Sequence, residues 1–238
     1  MTDELRPTTL FTDHSARRRR DRARSPWDAA TDDEEWRAWL GKTALFGQLV
    51  VNNLDPSHAP LVIPTHAALE GEELLLHLAR PNPVWPHVES ASEVRFTVTG
   101  DYAYIPSTWR AKAGGPDEDG VPTSYYATVQ FVCRPQLVDD PQAKATLLTT
   151  QFAHLQPEGG YPAVETGEPP YGRMLPGIRG LRLHILEVLA KFKYDDHNPE
   201  DHRVRVSASL YERGELHDPG AAAQQRRRLE LRGEWTEG

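Results

Sequence analysis

Five runs between residues 45 and 138 constrain the fold of this chain more than any other feature. Residues 45–51, 61–69, 74–79, 94–105 and 124–138 are rich in branched, leucine and aromatic side chains, and turn chemistry cuts most of them apart: Asn52-Asn53-Leu54-Asp55-Pro56, Glu70-Gly71 and Pro81-Asn82-Pro83. In the fifth run Tyr125, Ala127, Val129, Phe131 and Cys133 alternate with Tyr126, Thr128, Gln130, Val132 and Arg134, the period of two of a half-buried strand. Residues 180–188 resume strand character. Helices are expected at 32–40, where acids open a run holding Trp36, Trp39 and Leu40, at 141–155, and near the C-terminus at 202–211 and 221–231. Many short strands with few intervening helices predict a mainly β (α+β) barrel with peripheral helices, not a parallel α/β sheet.

Several functions are excluded at once. Cys133 is the only cysteine, so neither an internal disulfide nor a cysteine-rich zinc site can form. No window has the apolar length of a membrane span and the first 25 residues lack a secretory apolar run, so a cytoplasmic location is expected. The formal charge of −8 argues against nucleic acid as a partner of the whole chain. Basic charge gathers locally in the segment from Arg17 to Arg24, read as a solvated extension over 1–25, and in Arg226-Arg227-Arg228, read the same way within a helical, basic tail over 206–238. No glycine-rich phosphate loop, repeat or Gly-x-Ser-x-Gly elbow is present. The segment 111–120, charged and glycine-rich, is expected to be a mobile loop.

Motifs in a fixed order then carry a resemblance. Leu45-Phe46-Gly47, the run His77-Leu78-Ala79-Arg80-Pro81-Asn82-Pro83-Val84-Trp85, Ala103-Tyr104-Ile105-Pro106-Ser107-Thr108-Trp109, Val121-Pro122-Thr123, and Lys191-Phe192-Lys193-Tyr194 leading to Asn198 resemble the PaiB-like branch of the FMN-binding split-barrel proteins. The resemblance covers residues 26–205. It implies a six-stranded split barrel, and a homodimer with its cofactor at the subunit interface. Departures from the flavin-type pattern point further: Leu76 replaces a glycine, Ser124-Tyr125 replaces Trp-Asn, and His66 follows Pro64 where the pattern has its histidine before the proline. With Gln156-Pro157-Glu158-Gly159-Gly160 and Ile178-Arg179-Gly180-Leu181, these features look like the haem-dependent piperazate synthases. That branch implies haem b held by one histidine, δ-N-hydroxy-L-ornithine as small-molecule substrate, and L-piperazic acid plus water as products. FMN on the same barrel, in a regulator or oxidoreductase, is the alternative.

The residues suggest how such chemistry would be divided. His66 is either a hydrogen-bonded core histidine or an axial ligand, and Ala67-Ala68 beside it would leave room for a planar macrocycle. His77 is its rival, while His58 and His87 are assigned to turns. Cys133 is a weak thiolate candidate, because a partly apolar strand raises its pKa. Arg110 suits a bidentate grip on the substrate carboxylate, and Tyr126 or Lys193 suits proton transfer. Arg80, Ser107, Thr108, Trp109, Tyr125 and Lys191 are the cofactor-binding candidates; Thr123, Ser124 and Arg179 offer further hydroxyls and charge. One of Tyr125 and Tyr126 packs and the other presents its hydroxyl, since they point to opposite faces.

Overall fold

The computed structural model describes residues 26–42, 45–112 and 114–232. The basic segment from Arg17 to Arg24 lies outside them. Among the described residues there are seven strands: β1 (Phe46–Val51), β2 (Leu61–His66), β3 (Ala68–Glu70), β4 (Glu73–Ala79), β5 (Val94–Ile105), β6 (Thr123–Val138) and β7 (Ile178–Lys193). Seven α-helices accompany them: α1 (Asp33–Leu40), α2 (Trp85–Ser90), α3 (Ser107–Arg110), α4 (Pro141–Leu155), α5 (Tyr171–Met174), α6 (Glu200–Arg213) and α7 (Asp218–Arg232). The strands form one sheet in the order β2-β1-β5-β6-β7-β4-β3.

A six-stranded split barrel was expected; the sheet has seven strands and is not closed. The difference comes from residues 61–69, which are not one strand. They break at Ala67, whose N–H donates to Leu45 O at 2.9 Å, so that β2 pairs with β1 and β3 pairs with β4. The two strands on either side of Ala67 thus lie at opposite ends of the strand order, and His66 is the last residue before the break. β7 is longer than residues 180–188, because alternating burial continues through Ala190 and Phe192 to Lys193.

The chain divides into two compact units, and β5, β6 and β7 each contribute residues to both. One unit comprises Ala38–Val98 and Gln130–Leu189. In its core Ala68 and Leu75 pack with Val138 and with Leu147 of α4, while Ala145 and Leu148 on the same helix pack with Leu175, Phe152, Tyr171 and Ile178. α4 starts where Asp140 accepts a hydrogen bond from Ala143 N at 2.8 Å and proline takes the first helical position. Gly47 is required here by proximity, since a Cβ would stand 2.3 Å from Thr97 O of β5.

The other unit holds the described residues up to Arg37, then Thr99–Val129, then those from Ala190 onward. Its core contains Tyr125, Ala127 and Phe192 from strands and Tyr194 just after β7, with Val206 and Leu210 of α6 and Ala221 and Ala222 of α7. α6 ends at Gly214, whose φ of 62° is the left-handed conformation that a helix C-terminus favours. The triplet Arg226-Arg227-Arg228 is not a solvated tail. Arg228 is fully buried in α7, donating to Asp196 at 2.6 Å, Glu35 at 2.7 Å and the carbonyl of Trp27 at 2.7 Å. Burial alone would raise the Glu35 pKa, but Arg228 and the N–H of Thr31 hold it below the usual carboxylate range.

Candidate functional site

In the unit built on β1–β4 the two histidines of interest stand together. The rings of His66 and His77 are 5.6 Å apart between centroids and meet edge to face at 73°. His66 is half-buried, and burial followed by the charge of His77 pushes its pKa down, so its imidazole is neutral at neutral pH. His77 is clamped from α4. Its Nδ1 lies 2.7 Å from Gln151 Oε1, and the Nε2 of that amide donates to Leu75 O at 3.0 Å. A carbonyl only accepts, which fixes the amide's orientation, and an amide oxygen only accepts, which places the hydrogen of His77 on Nδ1. In its neutral form the ring therefore keeps a bare lone pair on Nε2. Orientation of one ring nitrogen by an outer partner is the arrangement that metal-binding histidines use.

The small residues after His66 have a different job from the one expected. Ala67 and Ala68 are both buried, and Ala68 is covered by Leu75, Val138 and Leu147, so no planar group stacks there. The available face is on the other side of the strand. Phe46 pairs with His66 and Val50 with Val62 across β1 and β2, and directly opposed residues share a face. On that face Phe46 is 57% and Val62 54% exposed, an apolar surface beside the imidazole.

The same unit holds Arg80, which donates to Asp139 and to Pro176 O, both at 3.0 Å. Arg179 grips Asp139 and Glu89 at 2.6 Å each and lies over the Trp85 ring. Gly180 is required where it stands, because a Cβ would meet Val138 and Leu147 at about 3 Å. Gln156-Pro157-Glu158-Gly159-Gly160 closes on itself, Gln156 Nε2 donating to Gly159 O at 2.6 Å with φ positive at both glycines. His87 accepts from Leu54 N at 3.0 Å from within α2, and His58 bonds Asp55, so both are committed to local structure. Burial pushes the Cys133 thiol up to about 12, which leaves it protonated and inert.

The remaining candidates belong to the other unit. Tyr125 is the tyrosine that packs: fully buried, it donates to Asp195 at 3.1 Å and accepts from Gln225 at 2.9 Å, so its hydroxyl is used inside the chain rather than on a cofactor. Tyr126, partly exposed, lies beneath Lys191, whose ammonium is 3.5 Å from Asp28. Arg110 faces Asp195 at 3.2 Å, a carboxylate of the chain itself. Lys193 donates to Thr123 Oγ1 at 2.8 Å. Ser107 and Thr108 open α3, and the Trp109 ring lies under the Arg213 guanidinium at 4.8 Å. Two buried atoms of this network, His202 Nε2 and Gln225 Oε1, have no hydrogen-bond partner among the described residues.

Sequence reasoning missed Gln151, Asp195 and Gln225. Gln151 sits 74 residues from His77 in a helix whose pattern shows only that it packs, and no local signal reveals its partner. Among the described residues no three His, Cys, Asp or Glu side chains are grouped to hold a metal ion. No helix is long and apolar enough to cross a membrane among those residues.

Comparison with known proteins follows the same lines. Residues 25–187 match the family described as "Putative FMN-binding domain". Among solved structures, the chain is similar to the flavocytochrome Anf3 from Azotobacter vinelandii, at 19% identity and a TM-score of 0.56 over 75% of each chain. It is also similar to the FAD and haem binding protein from Mycobacterium smegmatis, at 14% identity and a TM-score of 0.55 over 74% of this chain and 78% of that one. No curated protein matches it.

Proposed function

Since the chain belongs to the FMN-binding domain family, we propose that it is a haem-binding member of that family in which His66 would hold the iron. The reaction proposed is the conversion of N5-hydroxy-L-ornithine to L-piperazic acid with loss of water. The observation that carries the ligand assignment is the state of His66: a half-buried imidazole held neutral, with no ring hydrogen bond among the described residues and an exposed apolar face beside it. A neutral imidazole with a free lone pair is what ferric haem takes as an axial ligand. Two solved neighbours of the same fold are described as a flavocytochrome and as a FAD and haem binding protein, which supports haem as a cofactor for this architecture.

When bound, haem iron supplies a Lewis acid for a polarised N–O bond. The chain's residues would do the rest. His77, with its hydrogen fixed on Nδ1, keeps Nε2 as an acceptor next to the ligand. The cyclisation breaks one N–O bond and forms one N–N bond; the α-amine loses a proton and the hydroxyl leaves as water, so no oxidant or reductant enters. Lys193, Tyr126 and Arg110, the sequence candidates for proton transfer and for the substrate carboxylate, belong to the other unit, where Lys193 donates to Thr123 and Arg110 faces Asp195, and they are given no part in the His66 site. We further propose a homodimer, in which a second copy covers Phe46 and Val62; light scattering of a Phe46→Glu variant tests it, and a wild-type monomer rejects it.

FMN is the second reading, favoured by the family's own description. In it Arg80 and Asn82, in the unit that holds the histidine pair, would serve the flavin. Absorption of the purified protein separates the two: a Soret band supports haem, and the paired flavin bands reject it. Loss of the Soret band, or a change in its ligand-field bands, in His66→Ala supports the ligand assignment; unchanged bands transfer it to His77. Mass spectrometry after addition of N5-hydroxy-L-ornithine then tests the cyclisation, and a haem protein that leaves this substrate intact rejects it.

A further inference from the structure

The histidine pair leaves unexplained a buried cation elsewhere in the same unit. Lys144, on the first turn of α4, is 3% exposed and its ammonium donates to two neutral acceptors, Leu175 O and, at 3.2 Å, Ile178 O. Among the described residues no carboxylate stands within ion-pair distance of it. The two nearby acids are engaged: Asp139 is held by Arg80 and by Arg179, and Asp140 caps α4 through Ala143 N. A buried charge without a counter-ion in contact is costly, and a lysine kept in that state implies a compensating ligand or a lowered pKa. Burial, then the charge of Arg80, does push its pKa down.

Lys144 lines a cleft of about 450 Å³ together with Arg80, Asp139, Thr166, Leu175 and Pro176. That is ample for an oxyanion, since a water molecule takes up only about 30 Å³ of liquid. Donors are in place. Two of the three N–H groups of Lys144 go to carbonyls and one is left, while Arg80 uses Nε and Nη2 and keeps Nη1. The N-terminus of the 15-residue α4 adds the positive end of its dipole. Asp139 reduces the positive charge of the lining without cancelling it, because Arg80 and Lys144 outnumber it two to one.

We propose that this cleft binds a small oxyanion, a phosphate group or a carboxylate, between Lys144 and Arg80. The proposal is independent of the haem assignment. It is tested by thermal unfolding of the full chain in inorganic phosphate, in acetate and in chloride at equal ionic strength. Phosphate, acetate or both raise the midpoint above that in chloride, by ~5–10 °C at a hundredfold excess over Kd; which of them acts tells a phosphate site from a carboxylate site. In Lys144→Met, which keeps an unbranched chain of similar length, the rise disappears, whatever the balance in chloride between the buried charge removed and the two carbonyls left without a donor. Should that variant not fold, Arg80→Gln, altered at a half-exposed guanidinium, gives the same answer through a weakened rise. An equal response from wild type and variants, or none from wild type to either anion, overturns the site.

Discussion

His77 is useful to a metal or a proton only while one particular nitrogen is bare, and Gln151 decides which. Replacing Gln151 with leucine removes the acceptor from Nδ1 and the donor from Leu75 O, leaving two polar groups unpaired beside a fully buried position. The expected cost is about 1–3 kcal/mol, and the His77 ring is freed to populate both tautomers. Nitrogen chemical shifts of His77 in cofactor-free protein check this: one tautomer in wild type, a mixture in Gln151→Leu. If the histidine pair serves a cofactor, affinity for it falls by about 10–100-fold as well. A residue of this kind is not legible in one sequence. His66 and His77 stand out because imidazole in a strand is unusual, and Tyr125 and Tyr126 were separable into one packed and one exposed by alternation alone, but which was which depended on Asp195 and Gln225 arriving from distant segments.

At the scale of elements, periodicity was a good guide wherever one face of a strand or helix is buried, because burial writes the period into the residues. β5 and α4 have the expected bounds, and β6 differs by one residue at its start. The break between β2 and β3 was hidden, since Thr65, His66, Ala67 and Ala68 suit a continuous strand as well as a corner. The helix of α7 was expected at 221–231, but its arginines were misjudged for a related reason: three in a row look solvated unless Glu35 and Asp196 are known to lie beneath one of them. Two predictions belong here. Gly47→Ala forces a methyl against Thr97 O and the Phe96 ring, so β1 must draw away from β5 at an expected cost of about 1–3 kcal/mol, measured by chemical denaturation. Glu35→Gln removes the charge that both Arg227 and Arg228 face and leaves Asp196 as the carboxylate partner of Arg228; about 1–3 kcal/mol is expected from the same measurement.

For the molecule as a whole, buried ionisable groups make stability depend on pH, and the direction follows from His202. This residue is 8% exposed, and burial is the largest influence on it, pushing its pKa below the ordinary histidine value. Among its charged neighbours Asp195 and Asp201 favour protonation, while Arg205 and Arg110 oppose it; Asp195, at 4.0 Å from Nε2, is too distant for a hydrogen bond. The folded chain therefore binds a proton at this site less readily than the unfolded chain does. The stability it contributes is complete above the unfolded value near pH 6.5 and is lost as pH falls through the lower folded value. Glu35, Asp139 and Asp218 are also held below their ordinary values, so their contributions disappear only in more acid solution, below the carboxylate range. Acidification is thus expected to act in two stages, with histidine first. Between about pH 7.5 and 5.5 the unfolding midpoint of the wild type falls, and in His202→Gln, whose side chain stays neutral throughout, it falls less. Parallel curves for the two proteins would show that His202 is protonated as easily inside the fold as outside it, contrary to the burial that sets its environment.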